Sequence, residues 1–89
     1  MKITSFDWDK NNLTHISKHL VTKEEIEEAF NDKPLFLKGR SKFFHCFGQT
    51  ISGRYLFIVF FFKERGLIRV ISARNMPDSA RKYYKKRRK

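Results

Sequence analysis

Cysteine is nearly absent. The one thiol, Cys46, excludes an internal disulfide and any zinc site built from several cysteines, and it fits a reducing, cytoplasmic setting. Long apolar runs are absent too. The longest, Tyr55 to Phe62, falls far short of the roughly 20 residues that a spanning helix needs. Met1 to Asp9 lacks the apolar centre of a secretory leader, so no membrane is expected as a partner. Pro and Gly number only 2 and 4. No linker rich in Pro, Gly or Ser, no internal repeat and no low-complexity tract beyond a basic tail interrupts the chain. At 89 residues it lies below the usual span of about 100 to 200 residues per domain, so a single domain, residues 1–89, is expected.

Acidic residues are the last scarcity: 9 Asp and Glu stand against 20 Lys and Arg, a net charge of +11. The excess is unevenly placed. Residues 1–32 hold seven acids and four lysines, a net of −3, whereas residues 33–80 hold nine bases and two acids, a net of +7. Residues 81–89 add seven bases and no acid. The second half therefore offers a basic surface and tail to a polyanion such as RNA, DNA or an acidic protein. Taken alone, Lys85 to Lys89 reads equally well as a solvated helix end. What the chain has in quantity is aromatic: ten Phe, three Tyr and one Trp. Each can bury about 150 to 250 Å², enough for a packed core without disulfide or metal.

The pattern predicts an α+β domain. Ile3 to Trp8 reads as a short strand, after which Asp9 can cap a helix whose apolar positions Leu13, Ile16 and Leu20 recur at helical spacing. This helix is expected to end near His19. Thr22 and Glu25 then stand at the spacing of a capping box, with Val21 and Ile26 as its hydrophobic staple. Ile26, Ala29 and Phe30 make the buried stripe of this second helix, and Glu24, Glu27 and Glu28 its solvated face. Pro34 closes it, because Lys33 before the proline is biased away from helix. From Leu35 the vocabulary turns aromatic and β-branched. Strands are expected at Phe43 to Gln49, Tyr55 to Lys63 and Leu67 to Arg74, paired as an antiparallel meander. Tyr55 to Phe62 is apolar at both parities, so this strand is expected to be central and covered on both faces over part of its length. The two N-terminal helices and a C-terminal helix starting near Pro77 are the available covers.

Period two places Arg69 and Arg74 on opposite faces of the last strand. A guanidinium inside an apolar strand needs an anion or a set of acceptors. For Arg69 this is either a helix glutamate such as Glu27 or Glu28, or a bound phosphate. Arg74, at the strand end, can swing to the same site. His15 and His19 share a helix face, but Ile16 follows His15 where the HExxH pattern of zinc hydrolases needs glutamate. No metal or cofactor is expected. His19 can carry a proton near neutral pH, whereas His45, between Phe44 and Cys46, reads as a packed residue. No nucleophile elbow or phosphate-binding glycine loop occurs.

The ordered set Phe6-Asp7-Trp8-Asp9, Lys18-His19-Leu20-Val21, Thr22-Lys23-Glu24-Glu25, Gly53-Arg54-Tyr55-Leu56 and Ile68-Arg69-Val70-Ile71-Ser72-Ala73-Arg74, followed by Met76, Arg81 and Tyr84, resembles the BrnT toxins of bacterial type II toxin-antitoxin systems. The resemblance runs nearly end to end. It implies a RelE-like fold and a metal-independent endoribonuclease that arrests translation. It also implies a BrnA-like antitoxin whose DNA-binding domain brings the complex to its operator. Two departures stand out. Leu20 occupies a position that is commonly glycine in the family, and Pro77-Asp78-Ser79-Ala80-Arg81 replaces a common T-x-x-E-R.

On this basis the expected catalytic set is Lys18, His19, Arg69, Arg74, Arg81 and Tyr84. The arginines would grip the phosphate, His19 or Lys18 would move protons, and Tyr84 would stack or hydrogen-bond. Arg40, Arg54, Arg65, Lys85 and Arg87 are expected to make further RNA contacts. The alternative is a non-catalytic basic module that binds nucleic acid, which the missing glutamate favours.

Overall fold

The computed structural model describes residues 2–88; Met1 and Lys89, the ends of the leader and tail readings, lie outside the described residues. A two-residue strand, β1 (Ser5–Phe6), leads into α1 (Lys10–Ser17) and α2 (Lys23–Asn31). Both helices start on reciprocal caps. The Asp9 side chain accepts from the Asn12 N–H at 3.1 Å while Asn12 Oδ1 accepts from the Asp9 N–H at 2.8 Å. Thr22 and Glu25 exchange the equivalent pair at 3.1 and 3.0 Å, as their spacing predicts.

α1 stops at Ser17, short of His19, and Leu20 is not in its stripe. The chain turns through a left-handed residue, Leu20 at φ +58°. The N–H groups of Leu20 and Val21 donate back to the carbonyls of Ser17 and Ile16, which is the Schellman ending usually built on glycine. Val21 and Ile16 close the motif as buried neighbours, while the Leu20 side chain is 82% exposed.

The strands β2 (Leu35–Lys38), β3 (Phe44–Gln49), β4 (Tyr55–Glu64) and β5 (Leu67–Asn75) pair antiparallel in sequence order, and α3 (Asp78–Arg87) ends the fold. The sheet order is β1-β5-β4-β3-β2, with β1 parallel to β5. The sheet is therefore mixed, not wholly antiparallel as expected. The chain reaches β5, the neighbour of β1, only after two helices and three strands, so no hairpin turn dictates their relative direction. The N–H groups of Thr4 and Ser5 meet the Gly66 carbonyl instead.

Alternation in β4 sorts the two faces. Leu56, Ile58 and Phe60 are buried beneath α1 and α2 with Ile16, Val21, Ile26 and Ala29. Phe60 is ringed by Phe30, Phe36, Phe44 and Phe62 at centroid distances of 5.2 to 6.0 Å, each such pair adding about 0.5 to 1.5 kcal/mol beyond burial. α2 lies directly on β3, because Gly48 has no side chain: a Cβ there would stand 2.4 Å from the Ala29 carbonyl oxygen. The other parity, Tyr55, Phe57, Val59 and Phe61, is only half-buried. α3 covers one end of that face, where Tyr84 and Ala80 pack with Phe47, Leu35, Tyr55 and Phe57. The remainder of the face is open.

Candidate functional site

The bulge in β5 decides what the open face carries. Val59 pairs with Ser72 and Phe60 with Val70, so Ile71 is the extra residue. Val70 and Ala73 are both buried on the helix side despite being three apart, and alternation restarts after the bulge. Arg69 pairs with Phe61 and Arg74 with Phe57, two β4 residues of the same parity. The two arginines thus share the open face, which corrects the expectation that they oppose each other.

They do not share a state. Arg69 donates to Asp7 at 3.0 Å and to Asp9 at 3.1 Å, and Asp7 also accepts from Lys63 at 3.1 Å. The Lys63 and Arg69 side chains hold the Asp7 carboxyl below the usual carboxylate range. Arg69, with the Asn12 N–H, does the same for Asp9. The guanidinium in turn is pushed up by Asp9 and Asp7. An ion pair does occupy Arg69, but its partners come from the turn that caps α1, not from Glu27 or Glu28. Those two glutamates accept instead from Trp8 Nε1 and the Ile51 N–H.

Arg74 is exposed and makes no ion pair among the described residues. Its guanidinium carbon lies 5.6 Å from the centroid of the Phe57 ring. Beside it, α3 brings Arg81 and Lys85 to 5.8 and 5.3 Å from the Tyr55 ring. Arg81 also donates to Asp78 at 3.2 Å, an exposed pair that holds it weakly. Lys42 stands 4.4 Å over Phe61. Cations placed over a half-buried aromatic floor make a surface on which nucleotide bases can stack while their phosphates find charge.

The other expected residues are dispersed. Arg54 is consumed within the fold: it pairs with Glu25 at 3.1 Å, donates to Asn75 at 2.7 Å, and ties down the carbonyls of His19 and Leu20 at 3.0 and 2.6 Å. Lys18 and His19 are exposed past the end of α1, and no hydrogen bond or ion pair joins their side chains to Arg74 or Arg81 among the described residues. Tyr84, expected to meet RNA, is fully buried with its hydroxyl donating to the Lys33 carbonyl at 3.3 Å; burial pushes its ionisation up. Its ring is enclosed between α3 and the sheet, against Tyr55 and Phe47, and so presents no face to a base. Arg40 and Arg65 are exposed in the β2–β3 and β4–β5 turns. Arg87 lies 4.7 Å over Tyr83 on the outer side of α3. In the tail, Arg88 bonds Asp32 at 2.6 Å and also Gln49.

Tyr55, Phe57 and Lys42 are not among the expected site residues, and His45, expected to pack, does pack edge-to-face on Phe57. Strand parity groups Tyr55 with Phe57, but that signal does not say which face stays open. A groove of about 700 Å³ lies elsewhere, lined by Glu24, Glu27, Glu28 and Asp32 together with Phe6, Phe30 and Phe36. Its acid rim is wrong for a phosphate. Among the described residues, no three His, Cys, Asp or Glu side chains gather as metal ligands.

A family model described as "Ribonuclease toxin, BrnT, of type II toxin-antitoxin system" matches residues 8–80. No curated protein matches the chain.

Proposed function

Because this chain belongs to the BrnT family of ribonuclease toxins of type II toxin-antitoxin systems, we propose that its open sheet face is the surface that grips and cleaves RNA. The reaction proceeds without metal and stops translation in the cytoplasm, on a sheet of RelE-like design. The observation that carries this reading is Arg74, a guanidinium with no carboxylate partner among the described residues, over an aromatic floor with Arg81 and Lys85 beside it.

The 2′-oxygen of a nucleotide attacks the adjacent phosphorus, the bond from phosphorus to the 5′-oxygen breaks, and a cyclic phosphate remains. Negative charge accumulates on the non-bridging oxygens, where bidentate guanidinium contacts are strongest. Arg74 and Arg81 supply them. Arg69 serves indirectly, since its carboxylate pairs fasten β1 and the start of α1 to the sheet. A BrnA-like antitoxin is the neutralising partner. It covers the basic face and brings the complex to operator DNA.

The test is RNA cleavage by the purified protein in excess chelator. Arg74→Ala should lower the rate by about 10² to 10³-fold, the usual loss for one transition-state donor, and should relieve growth arrest while circular dichroism is unchanged. Full activity in this variant removes the assignment. A second reading, a module that binds RNA without cutting it, is favoured by the start of α3, where Pro77 offers no side-chain cap and the family's glutamate is missing. In the same assay such a module yields a complex and no new RNA ends.

A further inference from the structure

The cation cluster lacks a group that can take a proton near neutral pH, and the open face supplies one. His45 in β3 pairs with Val59 of β4, so its side chain belongs to the same face as Phe57 and Arg74. Its ring meets Phe57 edge-to-face at 5.1 Å. Phe57 therefore has the imidazole at one side and the Arg74 guanidinium at the other, 5.6 Å away. The two are at most about 11 Å apart, a gap that the ribose and phosphate of one nucleotide can bridge.

The ring packs against Gly39, where a Cβ would come within 2.9 Å of His45 Nε2 and 3.1 Å of the Phe43 carbonyl oxygen. Half-buried, the imidazole makes no hydrogen bond within the protein among the described residues, and neither ring nitrogen is committed to one of them. Its partners in the flanking strands, Leu37 and Val59, carry no charge. The charged groups on its face are Arg74 beyond Phe57, Lys42 over Phe61, Arg81 and Lys85 over Tyr55, and, toward the β4–β5 turn, Glu64 and the Arg69–Asp7 pair.

Resting on the nuclease reading above, we propose that His45 is the general base of the cleavage. It takes the 2′-hydroxyl proton as the bond to phosphorus forms, and Arg74 holds the phosphate. The departing 5′-oxygen takes a proton from water, and the imidazolium returns its own to solvent.

The test measures cleavage of a single-stranded RNA oligonucleotide in excess chelator across the window where imidazoles titrate, about pH 5 to 8. Variants at His45 are compared with the wild type, among them His45→Phe, which keeps the packing on Phe57, and His45→Asn, which keeps a polar group. Both should lose about 10² to 10⁴-fold in rate while RNA affinity stays within about threefold, and the wild-type rise of rate through that window should vanish. Added imidazole should restore part of the rate to His45→Ala. His15→Asn, on the outside of α1, should behave as wild type. Cleavage by His45→Phe or His45→Asn at the wild-type rate, with the same pH dependence, overturns the proposal and leaves the nuclease reading standing. An inert wild-type protein overturns both.

Discussion

Leu20 illustrates how one side chain can oppose the conformation it must adopt. At φ +58° it occupies a region that costs an L-residue with a Cβ roughly 1 to 2 kcal/mol, and its exposed side chain recovers little by packing. Leu20→Gly should therefore stabilise the fold by about 1 kcal/mol, read as a higher urea midpoint at constant m; a lower midpoint would contradict the strain argument. Arg69 makes the opposite case, of a costly group fully answered. Asp7 and Asp9 are held below the ordinary carboxylate range in the fold, so the stability they add is complete above about pH 4 and is lost as pH falls through their folded values. Arg69→Met should lower the urea midpoint at pH 7, and its deficit should shrink in acid. A deficit independent of pH would mean that packing, not the ion pairs, holds Arg69. The need for a partner at Arg69 was legible in the chain. The identity of the partner was not, because Asp7 and Asp9 lie some 60 residues away in sequence and meet it only once β1 has joined β5.

Helices and strands carry their own tests. The caps of α1 and α2 follow from local chemistry, so Asp9 and the Thr22–Glu25 pair appear where the sequence places them. The seat of α2 is a different matter. With a Cβ at position 48 placed 2.4 Å from the Ala29 oxygen, Gly48→Ala must push the helix off the sheet, and it should destabilise the protein by about 1 to 3 kcal/mol, the range for overpacking. Denaturant unfolding checks this, and a neutral result would mean that the contact relaxes freely. The Ile71 bulge was beyond reach of periodicity. Nothing in Leu67 to Asn75 marks which residue is skipped. Register is settled by the cross-strand partners and by which side chains the helices need buried, here Val70 and Ala73.

At the scale of the whole molecule, the acid groove of α2 lies on the helix side, while Arg74, Arg81 and Lys85 gather over the open face near α3. Arg54, Arg69 and Arg88, a share of the +11 that sequence arithmetic counts as available, are spent on internal carboxylates. Binding of single-stranded RNA should then weaken with salt at a logarithmic slope of about −0.7 for each phosphate neutralised. Arg74→Ala should make that slope shallower by about one such step, whereas Glu24→Gln with Glu27→Gln should leave it unchanged. A flat response in the wild-type protein would argue against phosphate contact on any face.

By itself the sequence determined the helix starts, the three long strands β3, β4 and β5, the aromatic core and the excess of positive charge, since each depends on neighbours within a few positions or on composition. Only the tertiary structure decided which arginines stay unpaired, that Tyr84 is a core residue, and that His45 shares a face with Arg74. Those outcomes depend on strand register, on one bulge and on where α3 comes to rest, and these are set by burial of the whole sheet against its helices.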